Sequence, residues 1–425
     1  MKVFLLILTL GQLLMAATIQ TLHVKNNTIT LIEEKDSRLP LITMQLIFQK
    51  SGHIEDGSLP GLAKLSAKML GEGTKELGSS AFAELLESKA IHISAHAGTE
   101  TFVIELSCLK EQFSQALNYL KELLEDPNLT EESLEKVKTK MIGSLQQKEN
   151  DFDYIASINL KKLLFEDTPL ATPTSGTIES LQKITLQDVQ NFFSKHIVLA
   201  RSIIALGGDV TMDDHNKIIH LLEELPYGSL EELPFYHASD AQKELIEKKQ
   251  TDQAYIYFGS PYNIRYDDPQ TYIARVATFI LGTGGFGSRL MEEIRVKKGL
   301  AYSAYARLHV NRSNTYLSGY LQTKLDSQEE ALKTVKEVLK NFVHNGVTQE
   351  ELEQTKKFLL GSEPLRNETM SQRLNRAFME YYKGFEPGYS QKELKKIASL
   401  SLQELNQFIH KHNEILKISV SIVTK

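Results

Sequence analysis

Three stretches of this 425-residue chain occur twice, in the same order and at nearly constant separation. Thr101-Phe-Val-Ile-Glu-Leu, followed by Ala116-Leu117, recurs as Thr315-Tyr-Leu-Ser-Gly-Tyr with Ala331-Leu332. Asn128-Leu-Thr-Glu-Glu-Ser, with Lys138 and Gly143-Ser144, recurs as Gly346-Val-Thr-Gln-Glu-Glu with Lys356 and Gly361-Ser362. Thr185-Leu-Gln-Asp and Phe192 recur as Ser401-Leu-Gln-Glu and Phe408. The offsets stay between 214 and 218. A shared helix cap imitates one such match; three in register imply duplication, at a period far too long for a solenoid. Strand-like runs (Leu41–Phe48, Ile91–Ala97, Thr101–Leu109) alternate with helical patterns (Phe113–Glu125, Glu131–Glu149, Thr185–His196). The expected fold is therefore α+β: two homologous halves, each an antiparallel sheet with helices on one face.

The division along the chain follows from composition. Lys2, the apolar stretch Val3–Leu14 and the small residues of Met15-Ala16-Ala17 have the three-part form of a secretory signal, so residues 1–17 read as a signal peptide. That stretch is too short to span a bilayer and no later run is long enough, which predicts export, to a bacterial periplasm, with no membrane attachment after cleavage. Residues 18–210 form the first domain and 250–425 the second. The stretch 211–249, with Pro226, Gly228, Pro234 and the acidic pairs Glu223-Glu224 and Glu231-Glu232, reads as the linker. Forty-eight basic and 54 acidic residues are mixed along the chain, which gives no nucleic-acid surface. The single cysteine, Cys108, sits in an apolar run and reads as a buried small hydrophobe rather than a nucleophile.

The stretch Gly61–Thr74, GLAKLSAKMLGEGT, reads as a short helix opened by Pro60-Gly61 and closed at Gly71 and Gly73. Leu62, Leu65, Met69 and Leu70 would face a core, while Lys64 and Lys68, four apart, project from one face. A second motif, Leu281–Tyr305, holds a turn rich in glycine (Gly282, Gly284, Gly285, Gly287), a helical stretch Ser288–Lys297 and a strand from Ala301. Its spacing is neither G-x-G-x-x-G nor a P-loop, so it does not read as a nucleotide site. Arg295 and Tyr302 both carry donors able to bond a peptide carbonyl, although an arginine on such a helix is usually solvated and a strand tyrosine usually packs. Ser288 and Arg289 share the helix. No histidine pairing has ligand spacing. His92 and His96 lie about 13 Å apart on a strand, His410 and His412 diverge on a helix end, and His215 and His220 read as a solvated surface pair.

The frame GLAxLxxxMLxxGT resembles the zinc helix of the pitrilysin/insulinase-type metallopeptidases, the inverzincins with H-x-x-E-H. On that frame the two histidines fall on Lys64 and Lys68, the glutamate on Ala67, and the later glutamate ligand on Ser144. A charged ammonium has no lone pair to give a zinc ion, and alanine cannot take a proton from water. The segment SRLxxxIRxxxGLAYS resembles the same family's Arg/Tyr element, which implies that Arg295 and Tyr302 reach the substrate. The duplicated halves and linker resemble one half of that family's clamshell, over nearly the whole mature chain. The resemblance implies a non-catalytic subunit of an exported heterodimeric zinc peptidase. A partner with intact H-x-x-E-H would hold the zinc; this chain would hold no metal or cofactor and would offer Arg295, Tyr302 and a peptide-passing loop at Gly284, Gly285 and Gly287. The alternative is a peptide-binding or scaffold protein that keeps the fold without chemistry.

Overall fold

The computed structural model describes residues 17–425, so the signal segment lies outside the described residues apart from Ala17. In the first half, strands β1 (Thr18–Val24), β2 (Asn27–Lys35), β3 (Leu41–Gln49), β4 (His92–Ala97), β5 (Thr101–Leu109) and β6 (Ser202–Gly208) form one sheet, ordered β1-β2-β6-β3-β5-β4. After β7 (Tyr236–His237), strands β8 (Glu244–Lys248), β9 (Gln253–Pro261), β10 (Ala301–Val310), β11 (Asn314–Lys324) and β12 (Ser419–Thr424) form the second, ordered β10-β11-β9-β12-β8. Reversed, that order repeats β2-β6-β3-β5-β4 strand for strand. The halves are homologous.

Neither sheet is wholly antiparallel. In each, the last strand returns parallel to the first shared strand: β6 beside β2 and β12 beside β8. Parallel neighbours need a long crossover, and here nearly the whole half serves as one. The repeated motifs mark helix starts. Thr130, Thr185, Thr348 and Ser401 each accept a bond from the N–H three residues on, the last three within reciprocal capping boxes.

Helices do not cover one face only. Each half keeps a core under its own helices, around Leu46, Leu65 and Leu120 in the first and Ile256, Leu321 and Leu339 in the second. The opposite face of each sheet is covered by a helix from the other half. Helix Phe152–Leu164 leaves the first half to lie on β9 and β12 of the second sheet. Helix Met370–Tyr382 returns onto β2 and β6, where Leu374 and Phe378 pack on Ile32, Ile47 and Ile203. Their starts differ by 218 residues, so they are the same element of the duplication, exchanged reciprocally. A sheet apolar on both faces must be covered on both.

The connecting stretch is shorter than 211–249. Residues 212–223 form a helix capped by Thr211 and Asp214, with Ile218 and Leu222 in the first core. Residues 244–248 are β8, within the second sheet. What joins the halves is 224–243. His215, expected on a solvated surface, is buried and meets Glu33 at 2.7 Å.

Candidate substrate site and the degenerate metal helix

Helix Leu62–Leu70 is held at its start by one buried carboxylate. Asp56 accepts from the N–H groups of Gly61 and Ala63, both at 2.7 Å, and faces His53 Nδ1 at the same distance. An acceptor at a helix start satisfies orphan donors and meets the positive end of the dipole. Leu62, Leu65, Ala67, Met69 and Leu70 are buried. Lys64 stands half-buried on the outer face and donates to Ser175 Oγ at 2.9 Å; Lys68 and Ser144 are exposed. Burial lowers the Lys64 ammonium from its ordinary value, and the charges of Lys148 and Lys68 push it the same way. Among the described residues, none of these three lysines has a carboxylate partner; Lys148 instead lies over the Tyr154 ring, 4.5 Å from its centre.

This donor set does not fit a zinc ion. Lys64 and Lys68 bring ammonium groups, with the Lys148 charge acting on Lys64, and Ala67, buried, brings only a methyl group; none of these offers a lone pair to a dication. Of the other histidines, His92 and His96 are exposed on β4, His410 Nδ1 faces the Val343 carbonyl, and His412 meets Glu414 at 2.8 Å. Among the described residues no cluster of three metal-ligating side chains occurs. Burial pushes the Cys108 thiol up to about 12, which leaves it without thiolate at neutral pH.

Arg295 and Tyr302 do come together. The glycine-rich turn is not a loose loop but a wide π-helical turn, Phe279–Thr283, followed by a tight 3-10 turn, Gly285–Gly287. Gly282 lies against β10 so closely that a Cβ would fall 2.2 Å from the Ala306 nitrogen, and Gly285 has φ +62°. The helix after this turn widens into a π-turn over Glu292–Lys297, which carries Arg295. A register shift in β10 between Ala301 and Ala304 leaves Tyr302 and Tyr305, three apart, both exposed, where plain alternation would separate them.

The guanidinium of Arg295 lies 4.2 Å from the centre of the Tyr302 ring and 4.6 Å from that of Phe286. Tyr302 is 81% exposed and Phe286 63%. Two rings on an arginine orient it without consuming its N–H donors. No carboxylate neutralises Arg295 among the described residues. Arg289, by contrast, is spent on structure: its Nε and one terminal nitrogen bond Glu351, at 2.6 and 2.8 Å. Ser288 is buried and donates to the Gly285 carbonyl.

Phe286 was not foreseeable from spacing, since a single aromatic among glycines follows no period. Beside the pair runs a tyrosine row, Tyr305–Tyr320–Tyr257, with ring centres 5.5 and 4.9 Å apart. It ends on Asp153 of the exchanged helix, which accepts from Tyr257 at 3.4 Å. Burial raises the Asp153 carboxyl, against the lowering effect of its Tyr320 and Tyr257 donors. The lysine group and the arginine group share no hydrogen bond, ion pair or ring contact among the described residues.

Comparison with known proteins adds the family. Residues 35–178 match the profile of insulinase, peptidase family M16, and residues 183–359 that of the peptidase M16 inactive domain. A Helicobacter pylori protein described as a non-peptidase homolog, YmxG, is 44% identical over 100% of this chain and 99% of its own length. The chain belongs to the M16 peptidase family. A Bacillus subtilis M16 relative, described as an uncharacterized zinc protease, is 23% identical over 82% of this chain and 85% of its own. The crystal structure of a peptidase M16 inactive domain from Pseudomonas fluorescens shares the fold, with a TM-score of 0.87, 24% identity, and coverage of 96% of this chain and 98% of that one. Lys64, Ala67 and Lys68 stand on helix Leu62–Leu70 and Ser144 on helix Glu131–Gln147, which packs against it.

Proposed function

We propose that this chain is the non-catalytic subunit of an exported, two-subunit M16 peptidase. A zinc-bearing M16 partner performs the hydrolysis, and this chain binds no metal of its own. Arg295 and Tyr302 reach the substrate carbonyl, and Gly284, Gly285 and Gly287 let the extended peptide pass close to backbone. The observation that carries this reading is the Phe286–Arg295–Tyr302 stack. It is a half-buried guanidinium, oriented between two exposed rings and without a carboxylate partner among the described residues, on a chain whose metal helix carries lysines. Gly287 also fits: it has ordinary φ and open space beside it, so packing does not require a glycine there.

The test is co-expression with an M16 chain bearing H-x-x-E-H, followed by peptidase assays. The purified chain alone is expected to be inactive and the pair active. In the pair, Arg295→Ala is expected to lower kcat by about a hundredfold, the scale for losing one oxyanion donor. Activity of the isolated chain after metal removal, or an undiminished Arg295→Ala pair, would sink the division of labour.

The second reading is a peptide-binding or scaffold protein without chemistry. The description of the 44%-identical relative as a non-peptidase homolog favours it equally. Failure of any zinc-bearing M16 chain to co-purify from the native source would decide for it.

A further inference from the structure

The helix Thr271–Thr278 holds in the second half the place that Leu62–Leu70 holds in the first. Aligning Met69-Leu70-Gly71 with Ile280-Leu281-Gly282 puts Arg275 at the position of Lys64. Beside this helix opens a pocket of about 330 Å³, between β10, the end of helix Met370–Tyr382 and the turn after it. That volume lies at the small end of the range for ligand sites. The Arg295–Tyr302 site and the degenerate metal helix make no use of it.

Its charges are unequal. Four cations line it, Arg275, Arg307, Arg376 and Lys383, against two carboxylates, Glu380 and Glu393. Both carboxylates are engaged within the protein. Glu393 takes Arg275 at 2.6 Å, and Glu380 accepts from the N–H groups of Gly388 and Ser390 at 2.9 and 2.8 Å. Arg376 is held by Glu363, outside the pocket. Lys383 and Arg307 have no ion-pair partner among the described residues, and Lys383 is half-buried. Burial lowers its amine, with Glu100 and Glu393 acting against that at longer range. The rest of the wall includes the apolar side chains of Leu308, Val310, Met379 and Phe385. A half-buried cation left unpaired beside an apolar wall is costly unless an anion joins it.

We infer that this pocket binds an apolar carboxylate, its acid group on Lys383 and Arg307 and its hydrocarbon body on Leu308, Val310 and Phe385. The volume admits one ring or a short chain. The same chemistry is offered by the C-terminal residue of a peptide and by a free small acid.

Calorimetric titration of the full chain with 3-phenylpropionate and with its uncharged amide tests this. Saturable single-site binding of the acid is expected, with the amide at least about tenfold weaker, as for losing a bond to a charged group. Lys383→Met keeps the stem and removes the charge; Arg307→Gln alters an exposed rim position that folding does not depend on. Each is expected to weaken the acid by about tenfold and leave the amide unchanged. Equal binding of acid and amide, indifference of the acid to both variants, or no saturable binding up to about 10 mM overturns the assignment. A peptide ending in free phenylalanine that binds tighter than 3-phenylpropionate identifies the source as a peptide end; a weaker one identifies a free acid.

Discussion

The two halves put nearly the same helix to different use. Leu62, Ala63, Leu65, Ala67, Met69 and Leu70 are buried in the first; their counterparts Ile273, Ala274, Val276, Thr278, Ile280 and Leu281 are buried in the second. The outward positions have diverged. Lys64 faces the neutral Ser175, whereas Arg275 meets the carboxylate of Glu393. Lys68 is exposed, whereas Phe279 stacks on Phe358 with ring centres 5.0 Å apart. The inner face maintains the fold, because core packing punishes a change of even one methylene. The outer face is free to diverge. The two copies therefore end with a positive spot in the first half and a filled, neutral one in the second.

The exchanged helices are equivalent in origin but unequal in attachment. Helix Met370–Tyr382 carries Arg373, which bonds Glu34 at 2.6 Å and Asp36 at 2.9 Å across the halves. Glu34 is buried. Arg373→Met strands that carboxylate and is expected to cost about 3–5 kcal/mol in urea unfolding, with part regained on adding Glu34→Gln. Helix Phe152–Leu164 has no such pair among the described residues; Ile155, Ala156, Leu160 and Leu164 are its buried anchors. Leu160→Ala is expected to cost about 2–5 kcal/mol, independent of salt. A loss below about 1 kcal/mol at either site would mean that the exchange does not bind the halves together.

Next in size is repair of the first half's helix. The combination Lys64→His, Ala67→Glu, Lys68→His and Ser144→Glu places the family's ligand types on an unchanged backbone. Zinc at a hundredfold excess over its Kd is then expected to add about 2.7 kcal/mol to stability, read as a zinc-dependent rise in Tm. No rise would mean that the helix pair has also moved, and that more than side chains was lost.

Much of this was legible in the chain. The duplication and the caps at Thr130, Thr185, Thr348 and Ser401 were readable because a Thr or Ser followed at three residues by an acceptor acts locally. The buried face of Leu62–Leu70 was readable from its period. The exchange of helices was not: a period tells which face of Leu160 or Leu374 is apolar, never which sheet covers it. His215 was misplaced for the same reason, since its partner Glu33 lies 182 residues away. Lys64 was placed correctly on its face, but Ser175 and Lys148, which give it a neutral partner and a like charge, arrive only through folding.

The smallest expected effect tests the comparison at a duplicated histidine. Phe192 and His196 of the first half correspond to Phe408 and His412 of the second, and each histidine packs on its phenylalanine, at 4.5 and 4.2 Å between ring centres. The partners are opposite in charge. His412 meets Glu414, while His196 Nδ1 accepts from the Arg201 guanidinium at 3.2 Å. Burial, and then the Arg201 charge, push His196 from its ordinary 6.5 down to about 3. Its folded pKa is depressed, so the unfolded chain binds the proton first. The contribution of His196 is whole above pH 6.5 and is lost as pH falls towards 3, at up to about 1.4 kcal/mol per pH unit. His309, lowered to about 4 chiefly by burial, adds a similar slope from the second half. Urea unfolding between pH 6.5 and 5.5 stays above most carboxylate titrations. There His196→Asn, which can still accept from Arg201, is expected to remove about half of the histidine-derived slope. His412→Asn is expected to lower stability by about 1–3 kcal/mol at most, because Glu414 keeps the Asn263 N–H donor at 2.7 Å. Equal pH slopes in His196→Asn and the parent would show that burial and the Arg201 charge together do not hold the first-half histidine neutral, and the contrast between the two copies would fail at that position.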